Sequence, residues 1–261
     1  MKIFALTMSR NIFCGILVSF ILTGSACQKK EEEFKPSAKP VAQEALTPAA
    51  TGESSIFGQV LFEGTVPQPA KTPISAFPEC KYHHPGGVSV AKIQAKNGKL
   101  KDVFVYVKEG LPPGTYPVPQ EPVILDQKGC LFSPHVIGIQ IGQPLLIVNS
   151  DPMLHNAHAV LDGRTLFNLS FPVQGMKVIR RLSTPGIVKF KCDIHGWMAA
   201  YVGVLNHPYF SVTGEDGTFE IRNLPAERYT IEAWHEEFSL SVTDCVVGPK
   251  AREEMTFRFR K

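Results

Sequence analysis

The stretch Cys192-Asp193-Ile194-His195-Gly196-Trp197-Met198 places a thiol, an imidazole and a thioether within seven residues. No other feature constrains the chain as much. Just before it, Ile187-Val188-Lys189-Phe190-Lys191 alternates with a period of two, the mark of a half-buried strand. Val188, Phe190 and Cys192 then share one face, and Lys189 and Lys191 the other. The sulfur of Cys192 therefore points inward at the end of a strand. Beyond the turn, Met198, Ala200, Val202 and Val204 again share a face. The pattern predicts two strands joined by a five-residue loop, with His195 carried between two inward-facing sulfurs. A second imidazole, His155, is followed by Asn156 and lies beyond the apolar run Leu145-Leu146-Ile147-Val148.

Two imidazole nitrogens and a thiolate in one plane, with a weak axial thioether, make up the ligand set of blue-copper sites. Thiolate and thioether suit Cu(I) and imidazole accepts Cu(II), so one such set holds both states. A buried structural cysteine beside a core methionine would account for Cys192 and Met198 alone. It would not account for two histidines at this spacing. His155, Cys192, His195 and Met198 are the predicted ligands of one copper ion. His158 is predicted to make a hydrogen bond or to lie at the surface.

From about residue 143 to 205 the chain resembles the metal-binding half of a cupredoxin of the amicyanin type. The resemblance rests on Val148-Asn149-Ser150-Asp151-Pro152-Met153-Leu154-His155-Asn156 and on the short Cys-x-x-His-x-x-Met loop. It implies a Greek-key β-sandwich and a type 1 copper held by His155, Cys192, His195 and Met198. It also implies single-electron exchange with redox protein partners, and a role for Asn156 in pinning the two ligand-bearing loops. Gly196 departs from the pattern, since such loops usually carry proline there. His195 is expected at the surface, among Pro152, Met153, Leu154 and Trp197, as the exit for the electron.

Residues 1–27 read as an export signal, with Lys2 and Arg10 ahead of an apolar core at 12–22. Gly24-Ser25-Ala26 fits a small-residue cleavage site, and Cys27 directly after it resembles a bacterial lipoprotein acceptor. Either processing route predicts an exported, periplasmic protein, and acylation of Cys27 would anchor it to the membrane. Residues 28–55 are charged and then rich in Pro, Ala, Ser and Thr, a composition predicted to form a disordered tether. The range 56–205 is then expected to be the cupredoxin-like domain. Within it, 56–63 reads as a strand, and 92–108 as a hairpin turning at Asn97-Gly98. Val103-Phe104-Val105-Tyr106-Val107 is apolar on both faces, so that strand is expected to be covered on both sides.

The range 206–261 is expected to be a second, small β-sandwich. Asp216-Gly217-Thr218-Phe219-Glu220-Ile221, Leu224-Pro225 and Tyr229-Thr230-Ile231 resemble the carboxypeptidase-regulatory or transthyretin-like module. That resemblance implies a non-catalytic spacer or docking surface. The predicted class is thus all-β. At about 55 residues the second module is small for a free domain and is expected to pack on the first.

Six cysteines occur in the chain. With Cys14 and Cys27 in the leader and Cys192 at the metal, an oxidising compartment makes Cys80–Cys130 the expected disulfide. A Cys130–Cys245 bridge is the alternative. His83, His84 and His135 lie near Cys80 and Cys130 but lack zinc- or haem-type spacing, and His207 and His235 are read as structural. Past the leader, 27 − 2 = 25 basic residues face 24 acidic ones. No basic stripe supports nucleic-acid binding. The chain shows no His-x-His pair, no His-Cys-His run and no second cysteine in the loop, so a one-electron carrier is expected rather than an enzyme. Copper delivery, or a binding module with a vestigial site, are the competing classes.

Overall fold

A computed structural model describes residues 49–69, 71–238 and 240–261. The expected export signal with Cys27, and residues 28–48 of the expected tether, lie outside the described residues. Residues 49–53 are already fixed to the body. The Gly52 amide donates to the Asn223 carbonyl at 2.9 Å, and the Ala49 amide to the Thr115 carbonyl at 2.9 Å.

The described residues are all-β with one short helix. It begins with β1 (Ser54–Glu63), followed by a small excursion of β2 (Lys71–Thr72), α1 (Pro78–His83) and β3 (Val88–Ser89). β4 (Ala95–Lys96), β5 (Lys99–Leu100) and β6 (Phe104–Glu109) come next. The middle of the chain forms β7 (Val123–Gln127), β8 (Phe132–Ser133), β9 (Val136–Gln140), β10 (Pro144–Asn149) and β11 (His155–Leu161). It continues through β12 (Arg164–Phe171), β13 (Lys177–Arg181), β14 (Gly186–Lys191) and β15 (Ala199–Leu205). The last strands are β16 (Phe210–Val212), β17 (Thr218–Leu224), β18 (Arg228–Trp234), β19 (Ser241–Val246) and β20 (Arg252–Arg260).

These strands build two sandwiches, and the expected boundary at residue 205 does not separate them. β1 pairs in parallel with β20, from Ser55 opposite Arg252 to Glu63 opposite Arg260, and antiparallel with β17. β6 pairs with β16 and β18. The first sandwich is therefore made from both ends of the described chain. Ile56, Val60, Leu100, Phe219, Ile221 and Phe257 from one sheet meet Val105, Val107, Tyr229 and Ile231 from the other in a single core. The second sandwich, β7 to β15, is inserted between β6 and β16. Its sheets run β13-β10-β7-β8 and β12-β11-β14-β15-β9. The physical reason is burial. The five strands after residue 205 expose an apolar face too large for them to cover alone, and the N-terminal strands cover it.

The predicted hairpin turns at Asn97 and Gly98, both with positive φ (53° and 75°) as its tight geometry requires. Its second arm is not one strand. Asp102 takes φ 61°, and the chain changes sheets between β5 and β6. Thr213 holds the break, accepting from the Val103 amide at 3.0 Å and donating to the Leu100 carbonyl at 2.8 Å. β6 is apolar on both faces because it is an inner layer. Val105 and Val107 enter the first core, while Phe104 and Tyr106 pack with Phe210 and Trp234 against Val136, Ile187 and Tyr201 of the second sandwich. Gly138 and Gly203 lie opposite each other on β9 and β15. A Cβ on either would sit 2.7 Å or 2.3 Å from the Phe104 ring. Glycine at these two positions lets the sandwiches meet.

The excursion between β1 and β4 crosses to the inserted sandwich. Ile74, Cys80 and Val88 form a small core with Cys130, joined by Phe77, Met153 and Trp197. A disulfide joins Cys80 to Cys130 with their Cα atoms 5.7 Å apart. His84 Nε2 lies 2.7 Å from the Gly129 carbonyl.

Candidate metal centre

β11 and β14 run antiparallel with Ala159 opposite Phe190, so the start of one strand lies beside the end of the other. His155 opens β11, and Cys192 directly follows β14. The loop after Cys192 closes on itself. The Cys192 amide donates to the Met198 carbonyl at 3.2 Å, and the Met198 amide to the His195 carbonyl at 2.8 Å. Asn156 bridges the two segments. Its Oδ1 accepts from the Asp193 amide at 2.6 Å, and its Nδ2 donates to Asp193 Oδ2 at 3.1 Å and Asn168 Oδ1 at 2.6 Å.

His155 Nδ1 and His195 Nδ1 come to 2.9 Å of each other, and Cys192 Sγ lies 3.7 Å from His195 Nδ1. All three residues are buried. Met198, from the far end of the loop, is buried in the same core. Two backbone amides point at the sulfur, from Asn156 at 3.5 Å and from His195 at 3.4 Å. Burial alone would push the Cys192 thiol up. Hydrogen bonds from the His155 and His195 rings and from these amides outweigh it and bring the thiol down to about 5. A thiol held low and two ring nitrogens thus lie within 4.8 Å of one another among buried residues, the donor set that a soft-to-borderline cation satisfies.

His155 is held from its other side. Its Nε2 lies 2.9 Å from Asp151 Oδ2. The Asp151 carboxylate also accepts from the Gly129 amide at 2.7 Å and the Cys130 amide at 2.8 Å. Burial raises the Asp151 carboxyl, but the His155 ring and the two amides bring it below its ordinary value. Burial likewise lowers His155, and Asp151 and Cys192 more than reverse it. A carboxylate behind a ligating imidazole fixes its tautomer and aims Nδ1 forward. Asp151 was not singled out in the sequence, although its place four residues before His155, next to Pro152, is a local signal.

His195 is not at the surface, contrary to expectation. Only 3% of it is exposed. The Phe77 ring lies over it at 4.9 Å, and the Trp197 ring at 5.3 Å. Trp197 Nε1 donates to the Cys130 carbonyl at 2.9 Å, which ties the loop to the disulfide. Phe77 lies far off in sequence, and nothing local announces its role. Leu154 and Ile194 remain partly exposed.

His158 turns away from the cluster to the Asp193 carboxylate, with Nδ1 2.9 Å from Oδ2. Among the described residues, His83, His84 and His135 join no cluster of metal-ligating side chains. His135 Nδ1 lies 3.1 Å from the Ala199 carbonyl and its Nε2 2.5 Å from Glu236 Oε1. Burial pushes His207 and His235 down to about 4, which leaves them neutral core rings. Cys245 is a free, half-buried thiol.

No family model matches the chain, and no curated protein matches it. Among solved structures, it is similar to the copper-containing nitrite reductase of Thermus scotoductus, at 23% identity over 37% of this chain and a TM-score of 0.29. The match spans only 25% of the nitrite reductase chain. The chain is also similar to a purple cupredoxin from Nitrosopumilus maritimus, at 23% identity over 32% of this chain and 97% of that one, TM-score 0.28. A reduced amicyanin variant is similar at 19% identity over 33% of this chain and 85% of that one, TM-score 0.29.

Proposed function

We propose that the chain is an exported type 1 copper protein that carries single electrons between redox protein partners. The observation that carries this reading is the convergence of His155 Nδ1, Cys192 Sγ and His195 Nδ1 in a buried site where Cys192 is held as a thiolate. Copper, when bound there, supplies the Cu(II)/Cu(I) couple.

The chain's own residues do the rest. His155, Cys192 and His195 would hold the ion, with the Met198 thioether as a further, weak donor. Asp151 fixes the His155 ring, and Asn156 locks the two ligand segments together. The loop is closed by its own backbone bonds and sits on the core of the inserted sandwich, so the donors move little when the charge changes. Phe77 and Trp197 cover His195, and an electron reaching that ligand crosses their rings. Burial of all three strong donors favours retention of the ion over delivery. The first sandwich serves as a rigid support. Acylation of Cys27 would hold the whole on a membrane facing the periplasm.

Voltammetry of the copper-loaded protein tests this. A reversible one-electron wave is expected, and Met198→Leu should keep copper and raise the midpoint, because losing the weak thioether donor would destabilise Cu(II) more than Cu(I). Absence of a wave, or loss of copper from Met198→Leu, would overturn the assignment.

A further inference from the structure

We propose that in the reduced chain Cys80, Cys130 and His195 form a second metal site, one that takes a soft monovalent cation such as Cu(I). With the disulfide closed, Cys80 Sγ, Cys130 Sγ and a ring nitrogen of His195 all lie within 4.8 Å of one another, and all three residues are buried. The inner set of His155, Cys192 and His195 uses neither of these sulfurs. The two sites therefore lie side by side and share His195. Hydrogen bonds hold the segments that carry the two sulfurs in addition to the bond between them. The Cys130 amide is held by Asp151 Oδ2, the Cys130 carbonyl by Trp197 Nε1, and His84 is anchored to Gly129 just after the helix that carries Cys80. Two thiolates and one imidazole match the preference of Cu(I) for soft donors.

The dithiol state is the one in which a newly made chain meets its surroundings. It is also regenerated by a small dithiol. The reductant's two sulfurs join, the Cys80–Cys130 bond breaks, and the reductant's two protons pass to Cys80 and Cys130. Metal binding then releases those protons. The lobe around Cys80 has few buried residues of its own, so it opens to a reductant at lower cost than the sandwiches do.

The inference goes beyond the one-electron reading and is tested without the inner thiolate. Full-length Cys192→Ser is reduced with dithiothreitol, desalted without air and titrated with Cu(I) against bicinchoninate. The reduced form should hold one Cu(I) on the order of 100-fold more tightly than the oxidised form. Cys80→Ser/Cys130→Ser/Cys192→Ser should match the oxidised form, and adding His195→Ala to reduced Cys192→Ser should cost about tenfold or more. Equal affinity in the reduced and oxidised forms would overturn the proposal, as would no loss with His195→Ala. The reduced wild-type chain gives a second reading if Cys192→Ser does not fold. Cu(I) should protect Cys80 and Cys130 from iodoacetamide, and alkylation at the rate of the metal-free chain would equally overturn it. A wild-type protein without the blue copper spectrum would refute the electron-carrier reading and leave this site standing.

Discussion

Replacing both Cys80 and Cys130 with Ala removes the covalent tie between the small lobe and the inserted sandwich. The two cysteines are 50 residues apart. Closing a loop of that length in the unfolded chain is worth about 4 kcal/mol at 25 °C on the chain-entropy model. With a guanidinium slope of roughly 5 kcal/mol/M for a body of this size, the unfolding midpoint should fall by about 0.8 M. Folding of the sandwiches themselves should survive, because neither main core contains either cysteine. The local consequence should be larger than the global one. Phe77 stays over His195 only while the lobe is docked, and the lobe's own core is small. Copper transfer from the oxidised wild type to an excess of chelator should therefore be slow, and it should speed up by about tenfold or more in the double variant. Guanidinium unfolding followed by tryptophan fluorescence gives the first quantity and stopped-flow chelation the second. An unchanged chelation rate beside a lowered midpoint would show that the lobe does not guard His195. An unchanged midpoint would show that the lobe is undocked in solution.

Gly203→Ala should cost about 1–3 kcal/mol, since its methyl would meet the Phe104 ring; recovery of part of that loss in Gly203→Ala/Phe104→Leu, measured by denaturation, checks the contact between the sandwiches. Asp151→Asn should weaken copper binding by about 10–100-fold in chelator competition, with little change in the absorption band, because it removes the carboxylate behind His155 without removing a donor. The His135–Glu236 pair sets a pH window. Burial lowers His135, but Glu236 and the Ala199 carbonyl raise it overall above 6.5; burial raises Glu236, but His135 lowers it overall below 4.5. The His135 contribution is complete below 6.5 and lost as pH rises through its folded value. The Glu236 contribution is complete above 4.5 and lost as pH falls through its folded value. The part of the Tm that depends on this pair should thus be greatest between those values, and His135→Gln should flatten that part of the profile. A His135→Gln profile parallel to wild type would contradict the assignment.

The sequence made some of this architecture legible and hid the rest for physical reasons. Alternation reports which face of a strand is buried, so Val188, Phe190 and Cys192 could be placed inward and β6 could be read as covered on both sides. Alternation does not report what covers a face. The pairing of β1 with β20 is parallel and joins the two ends of the described chain, so no turn chemistry marks it, and the C-terminal strands read as a separate small module packed on the first rather than as one sandwich shared with the N-terminal strands. In the candidate site, His155, Cys192 and His195 were legible because their spacing is local to two strand ends. Asp151 was within reach as a carboxylate four residues before a ligand. Phe77 was not, because its contact with His195 depends on a lobe that crosses from one sandwich to the other. That crossing also explains why a histidine on a short loop, expected in solvent, is buried.

The most direct measurement is the visible absorption spectrum of the oxidised, copper-loaded protein beside that of Cys192→Ser. Cys192 is held as a thiolate among two imidazoles, so a strong thiolate-to-copper band is predicted for the wild type and none for the variant. A colourless wild-type protein that nonetheless binds copper, or a Cys192→Ser protein that keeps the band, would contradict the assignment of this site.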